Sequence, residues 1–208
     1  MLELPDEPRW VEAHGIAADP ASWRRALGDG GAVGSERARL VVAFGEADPG
    51  ALRALAIELP AHTFLVTEEL VSALPRAAER AILHTLPDPD DLPDYEGATL
   101  LDDVSRVPAP LADELRGVRA WTAYVDGAPM AFAYAPWRST RWFDVSVDTL
   151  PGARQLGLGT IVAAAMIRDE RASGREPVWG ADESNHASLR LAKRLGFVAV
   201  DEIFVAPP

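Results

Sequence analysis

Residues 141–167, RWFDVSVDTLPGARQLGLGTIVAAAMI, constrain the fold most tightly, because they read as strand, glycine-bearing loop and helix in direct succession. Residues 141–147 combine Trp, Phe and Val with polar residues between them, which is typical of a strand. Pro151 and Gly152 interrupt that pattern. The run at 160–167, rich in Ala and Ile, predicts a helix with buried first turns, and Gly174 is placed to end it.

The start of this predicted helix favours anion binding. The first N–H groups of a helix have no partner inside it, and the helix dipole adds partial positive charge there. Gly157 and Gly159 bear no side chains that would keep a phosphate from those groups. Val162 stands where a dinucleotide fingerprint needs its third glycine, and the Lys-Ser/Thr of a P-loop is missing. A turn that uses glycine only for tightness is the alternative interpretation.

A second motif follows about 30 residues later, where NHAS at 185–188 opens a predicted helix that ends in LGF at 195–197. Together with RQLGLG at 154–159, it resembles the GNAT acyltransferase superfamily over about residues 118–208. In that family an R/Q-x-x-G-x-G loop grips the pyrophosphate of acetyl-CoA, and the later helix packs beside the pantetheine arm. The resemblance implies acetyl-CoA as co-substrate.

The predicted order of elements agrees with that family. Asp126-Gly127 between two apolar runs predicts a hairpin, because glycine takes the positive φ that the turn needs. After the strand, loop and helix come a short strand at 177–180, the helix at 185–195 and a last strand at 197–205. We expect an α/β (α+β) fold: a GNAT-like mixed, mostly antiparallel central sheet flanked by helices, with an additional small α/β N-terminal region.

The first half carries no motif of the family. Its patterns predict strands at 38–44 and 63–66 and helices at 23–27, 48–59, from 67 onward, and at 76–83. We divide the chain into an N-terminal α/β region, residues 1–105, and an acyl-CoA-binding core, residues 106–208. The N-terminal region is either a small α/β layer or a degenerate copy of the second half.

Charge is distributed unevenly. The net charge is −12, and residues 1–117 hold 10 Arg against 22 Asp and Glu, whereas residues 118–208 are neutral. So acidic a chain is a poor partner for nucleic acid. A neutral second half suits the polyanion CoA, and an acidic first half either attracts a cationic substrate such as an amine or only keeps the protein soluble.

Cysteine is absent, which excludes disulfides and a thiolate nucleophile. No signal peptide or membrane-length apolar run is present, so we expect a cytoplasmic protein with no membrane partner. The four histidines show no ligand spacing, and we expect no metal. Both a monomer and a homodimer fit the sequence.

The resemblance assigns roles to individual residues. The backbone of Val147, Asp148 and Thr149 would lie along pantetheine, since the family's strand before the loop diverges from its neighbour there. The pyrophosphate would be held by Arg154, Gln155, Leu156, Gly157, Leu158, Gly159 and Thr160. Asn185 and Ser188 would line the cofactor site, although Asn185 is equally suited to cap its helix.

Acetyl transfer to an amine needs a base, and Asp144 and Glu183 are the candidates, with Asp182 beside Glu183. Many family members protonate the leaving thiolate with a tyrosine in the second helix, but Ala192 occupies that position here. Ser188, Ser184 or water is the alternative, or the thiolate leaves unassisted.

Three functions therefore remain open. The first is acetyl-CoA-dependent N-acetylation of a small-molecule amine. The second is a weak or inactive acyl-CoA-binding module that acts as a sensor or partner-binding protein, which Ala192 favours. The third is an interaction protein with no affinity for CoA.

Overall fold

The computed structural model describes residues 4–88, 92 and 94–208, so the loop predicted at 88–94 lies largely outside the described residues. The described strands are β1 (Trp23–Leu27), β2 (Gly30–Ser35), β3 (Leu40–Phe44), β4 (Thr63–Val66), β5 (Glu79–Thr85), β6 (Ala98–Leu100), β7 (Ala120–Val125), β8 (Ala128–Tyr134), β9 (Trp142–Asp144), β10 (Ser146–Thr149), β11 (Glu176–Asp182) and β12 (Val198–Ala206). The α-helices are α1 (Val11–Ala18), α2 (Pro49–Glu58), α3 (Ala109–Leu115), α4 (Leu158–Arg171) and α5 (His186–Arg194).

These strands form two sheets. The larger has the order β1-β2-β3-β4-β12-β5-β11-β9, and the smaller has the order β10-β8-β7-β6. Only the β3–β4 and β9–β11 pairs are parallel among the described strands. The predicted fold class is confirmed: a mixed, mostly antiparallel sheet is flanked by helices.

The two halves of the chain exchange strands in the larger sheet. Each half contains a parallel strand–helix–strand unit, β3–α2–β4 in the first and β9–α4–β11 in the second. One strand of each half then lies against the other half: β12 pairs with β4, and β5 pairs with β11. β12 and β5 also pair with each other at the centre of the sheet. On either side of this pair the strands of the two units follow in the same order, β4 then β3 on one side and β11 then β9 on the other.

Local sequence signals explain the second half. Asp126 and Gly127 have φ values of 48° and 75°, as the predicted hairpin turn between β7 and β8 requires. The apolar side of α4 packs into a core that includes Val162 and Ile167, both fully buried. Gly196 has φ 92° and follows α5, in the left-handed conformation that ends many helices.

Two predicted helices are strands. Residues 23–27 form β1, which pairs with the buried strand β2, and residues 79–85 form β5 instead of the predicted helix at 76–83. In β5 both faces are used: Ala81 and Leu83 enter one core, while His84 donates from Nδ1 to the carbonyl oxygen of Trp179. Pairing with β11 and β12 therefore outweighs the helical propensity of Ala, Glu and Arg in this segment.

Close packing explains the glycines of β2. A Cβ atom on Gly34 would lie 2.0 Å from the ring of Trp23, and one on Gly30 would lie 2.3 Å from the backbone nitrogen of Ala47. Contacts this short leave no room for any side chain. These glycines let β2 pass beneath the indole ring of Trp23.

Helix α1 was not predicted, and it covers part of the second half. Val11 of α1 packs with Trp142 of β9 and Val178 of β11. On the neighbouring sheet, α3 packs against Phe132 and Tyr134 of β8. Since Phe143 and Val145 point into the core beneath α4, α1 and α3 lie on the opposite face of the two sheets.

Within the described residues, no helix is long and apolar enough to cross a membrane. The division near residue 105 stays a prediction, and the larger sheet takes strands from both sides of it.

The position of β5 makes a prediction about the isolated second half. A fragment of residues 106–208 lacks β4 and β5, so β11 loses one neighbouring strand and β12 loses both of its neighbours. We expect no cooperative unfolding transition for this fragment in urea, followed by circular dichroism, whereas the whole chain shows one. Co-expression with residues 1–105 should restore the transition. A cooperative transition of the fragment alone would contradict this expectation.

Candidate functional site

The site begins where one extended segment changes its hydrogen-bond partner. Through β9 the segment pairs with β11 in parallel, and through β10 it pairs with β8 of the other sheet. The last bond to β11 runs from the Val145 nitrogen to the Val178 oxygen at 2.9 Å. Beyond that bond β10 is an edge strand, and the edges of β10 and β11 that face each other carry backbone groups free to bind a ligand.

The gap between β10 and β11 opens into a cleft of about 660 Å³. The cleft collects the predicted cofactor residues from four elements, and those that line it are Val147, Asp148, Thr149, Arg154, Gln155, Gly157, Leu158, Gly159, Thr160, Asn185 and Ser188. Leu156 is the exception, since it is 59% exposed and does not line the cleft.

Backbone N–H groups at the start of α4 are free, as the glycine motif predicts. Gly157 caps the helix in the left-handed conformation, with φ 81° and no heavy atom within 4 Å of a Cβ placed on it. The amides of 155–159 have no backbone acceptor in the described chain, but the Thr160 nitrogen donates to the Gly157 oxygen at 3.0 Å. The loop therefore presents five free amides, those of residues 155–159.

Gly159 has a different role from Gly157. A Cβ on Gly159 would lie 3.3 Å from Leu191 Cδ2 and 3.3 Å from Thr149 Oγ1. This glycine lets the first turn of α4 approach both α5 and β10. In this motif Gly157 thus provides a positive φ, and Gly159 provides room for close contacts.

The cleft suits a phosphate-bearing ligand by charge and by hydrogen bonding. Arg154, Arg190 and Arg194 line it, and the last two were not predicted, although their i,i+4 spacing on α5 is a signal of a shared face. Thr160 is 4% exposed, and its hydroxyl oxygen has no hydrogen-bond partner in the described part of the protein. A buried hydroxyl without a partner is costly, so a ligand oxygen there would complete the site.

Helix α5 supplies one hydroxyl to the cleft. Asn185 caps the helix by accepting from the Ser188 nitrogen at 3.1 Å, and Ser188 Oγ accepts from Trp179 Nε1 at 2.9 Å. The hydroxyl hydrogen of Ser188 remains available to donate. Ala192 is fully buried in the core next to α4, so this position offers no acid.

The two predicted bases lie in different surroundings. Asp144 is partly buried at the end of β9, where its register partner on β11 is Val178 beside the last bond of the parallel pair. Glu183 is exposed, lies 3.8 Å from Arg80 in an ion pair and does not line the cleft. Neither carboxylate lines the cleft, but Asp144 lies at the point where the strands diverge and Glu183 does not.

Glu12 of α1 is a functional candidate that the sequence did not reveal. Burial raises the pKa of both Glu12 and Asp144 well above the usual carboxyl range, and the charge of Asp144 raises the pKa of Glu12 further. A hydrogen bond from the backbone of Val145 partly offsets the effect at Asp144. Carboxyls with raised pKa values near a cleft are suited to proton transfer near neutral pH.

In the part of the chain that the structure describes, no group of three or more His, Asp or Glu side chains has the geometry of a metal site.

Comparison with known proteins agrees with the fold. Residues 122–204 match the GNAT acetyltransferase family. No curated protein matches the chain.

Solved structures resemble nearly the whole chain. A GNAT-family protein from Novosphingobium aromaticivorans is 22% identical, with a TM-score of 0.70 over 97% of this chain and 96% of that one. A GCN5-related N-acetyltransferase from Kribbella flavida is 17% identical, with a TM-score of 0.70 over 96% and 94%. A tandem GNAT protein of the clavulanic acid pathway is 16% identical, with a TM-score of 0.57 over 95% and 93%. The resemblance to the GNAT superfamily is thereby confirmed, in sequence over residues 122–204 and in fold over nearly the whole chain.

Proposed function

We propose that this protein is an acetyl-CoA-dependent N-acetyltransferase that acetylates the amine of a small molecule. The observation that carries the proposal is the gap between β10 and β11, which leads from Asp144 to five free amides at the start of α4. A ligand that carries a diphosphate at one end and an amide-bearing arm at the other fits this path.

The protein's own groups would hold the co-substrate along the cleft. The amides of 155–159 and the hydroxyl of Thr160 would bind the pyrophosphate, with charge from Arg154, Arg190 and Arg194. The free edges of β10 and β11 would pair with the amides of the pantetheine arm. When bound, acetyl-CoA supplies an acetyl group activated as a thioester.

Asp144 is the base that this geometry favours. The amine must lose a proton as its nitrogen bonds to the acetyl carbon, and the carbon–sulfur bond breaks in the same transfer. A carboxyl with a raised pKa can accept that proton near neutral pH, and Asp144 lies at the end of the gap where an acetyl group would sit. Ser188 can donate its hydroxyl hydrogen toward the leaving sulfur, although a thiolate also leaves unassisted.

A second candidate function is acyl-CoA binding without turnover. Ala192 favours it, because this buried methyl group replaces the tyrosine that many family members use as an acid. Release of free CoA in the presence of amines separates the two functions, since a binding module releases none.

Gly157→Glu tests the phosphate site. The substitution places a carboxylate beside the free amides and forces a side chain onto a residue with φ 81°. We expect acetyl-CoA binding, measured by calorimetry, to weaken at least about 30-fold, or about 2 kcal/mol.

Gly174→Glu is the matched control for this measurement. Gly174 follows the other end of α4, has φ 80° and also has no heavy atom within 4 Å of an added Cβ. The control therefore adds the same charge and similar backbone strain away from the cleft. Equal affinity of the Gly157→Glu and Gly174→Glu proteins for acetyl-CoA would contradict the assigned phosphate site.

Asp144→Asn tests the base. We expect kcat to fall by about 10²- to 10⁴-fold, the usual contribution of a general base. Because only the deprotonated carboxyl accepts a proton, the wild-type rate should rise with pH through the raised pKa of Asp144, well above the value of about 4 for an ordinary Asp. The Asp144→Asn protein should lose this rise in its pH–rate profile.

Glu183→Gln removes the other predicted carboxylate and serves as the comparison. If this variant loses the pH-dependent rise while Asp144→Asn keeps it, the base is Glu183 and the assignment to Asp144 is wrong.

A further inference from the structure

We propose that Trp179 is a positioning residue that turns the Ser188 hydroxyl toward the thioester sulfur of the co-substrate. Its indole N–H holds the serine oxygen from one side, so the hydroxyl hydrogen is left for the ligand. This inference rests on the proposed acyl-transfer function and adds a directed hydrogen bond to the leaving thiolate. It gives the leaving group assistance from α5 although Ala192 carries no hydroxyl.

The hydrogen bond between the two side chains has only one possible direction. An indole N–H donates and never accepts, and Trp179 Nε1 lies 2.9 Å from Ser188 Oγ. The serine oxygen must therefore accept, and its own hydrogen cannot point back at the ring. Among the described residues no group accepts that hydrogen. Since both side chains line the cleft, the hydrogen is available to a ligand there.

The indole of Trp179 is held in place, so it can define the direction of the hydroxyl. The side chain is 2% exposed and packs in the core that α4 and α5 share. Phe197, which follows α5, lies edge-on to the ring, with ring centroids 5.4 Å apart and planes at 63°. Aromatic pairs favour this arrangement. The Leu-Gly-Phe end of α5 thus supports the ring that orients Ser188 at the start of the same helix.

Ser188 lies at the end of the cleft where the strands diverge. Trp179 directly follows the β11 residue that makes the last bond before the gap, so its bond to Ser188 ties the first turn of α5 to this point. One turn later, Leu191 lies at the start of α4: a Cβ on Gly159 would be 3.3 Å from Leu191 Cδ2. α5 therefore runs from the acyl end of the cleft toward the free amides, and Ser188 belongs to the acyl end.

The hydroxyl acts as a hydrogen-bond donor and keeps its proton. As the amine nitrogen bonds to the acetyl carbon, the carbon–sulfur bond breaks and its electron pair stays on sulfur, while Asp144 takes the proton of the amine. A thiolate is a much weaker base than a serine alkoxide, so no proton passes from Ser188 to sulfur. A hydrogen bond to the charged sulfur stabilises it, and such bonds are stronger than those between neutral groups.

The ionisation of the thiol of bound CoA tests this direction and needs no acceptor amine. A thiolate absorbs more strongly in the ultraviolet than a thiol, so a pH titration of protein-bound CoA, corrected for the protein alone, gives the acid dissociation constant of the thiol. A donor aimed at sulfur favours the thiolate. We therefore expect Ser188→Ala to lower this constant at least about tenfold, the value of a hydrogen bond to a charged group. An unchanged constant would overturn the proposal.

Trp179→Phe separates positioning from packing. Phenylalanine keeps an aromatic ring beside Phe197 but has no N–H, so the hydroxyl is free to turn away from the sulfur. We expect the dissociation constant of the thiol to fall at least about threefold, a fraction of the full hydrogen bond. Adding Trp179→Phe to Ser188→Ala should cause no further fall. Additive effects, or no effect of Trp179→Phe alone, would contradict a role exerted through Ser188.

Trp121→Phe is the matched control. Trp121 packs against the same core and donates from Nε1 to Asp169 at 3.3 Å, but it does not line the cleft. The variant loses an indole N–H and opens a similar space, so the ionisation of the bound thiol should stay at the wild-type value. A fall equal to that of Trp179→Phe would assign the effect to repacking of the core and remove the positioning role.

Phe197→Leu disturbs the donor in a second way, which serves if Trp179→Phe does not unfold cooperatively in urea. It removes the ring that holds Trp179 and leaves the indole N–H in place. The dissociation constant of the thiol should fall when Ser188 is present and stay unchanged when Ser188→Ala is added. An equal fall in both backgrounds would contradict the proposal.

Failure of this inference can be told apart from failure of the function. If the wild-type protein binds CoA and Ser188→Ala leaves the ionisation of the thiol unchanged, acyl-CoA binding stands and the directed hydroxyl is wrong. If the wild-type protein binds neither CoA nor acetyl-CoA in calorimetry, the proposed function and this inference are both wrong.

Discussion

A single extended segment, residues 142–149, has two sets of hydrogen-bond partners, and the change of partner at Val145 produces every part of the site. Before it, β9 bonds to β11, and after it β10 bonds to β8. A strand cannot follow two diverging sheets on both edges, so two edges are left facing each other without partners. The gap ends at the start of α4, where the free amides lie, and begins at Asp144.

The first half has the same order of elements without such a gap. β3 is bonded to β2 on one side and β4 on the other, so its edges are both occupied. At the start of α2, the Asp48 side chain accepts from the Ala51 nitrogen at 2.7 Å. A carboxylate thus occupies the place where α4 offers free amides, and it repels phosphate. This half supports the site instead, by supplying β5 to the sheet and α1 to its surface.

Backbone chemistry could be predicted from the sequence, and contacts distant along the chain could not. Gly157 and the Asp126-Gly127 turn act through their own backbone angles, so their roles can be predicted from the local sequence. β5 was predicted as a helix because its composition favours one, and only pairing with β11 and β12 makes it a strand. Glu12 gains its raised pKa from α1 packing against a strand far along the chain, which no local pattern encodes.

The exchange of strands between the two halves has a consequence for how the polypeptide is made. β12 lies between β4 and β5, yet it begins 113 residues after the end of β5. During synthesis β4 and β5 therefore keep unpaired edges until β12 has left the ribosome, and the larger sheet is complete only then. Sequence-distant pairing of this kind makes folding slow and exposes the nascent chain to aggregation, so the interval before β12 is released is when a chaperone would matter most.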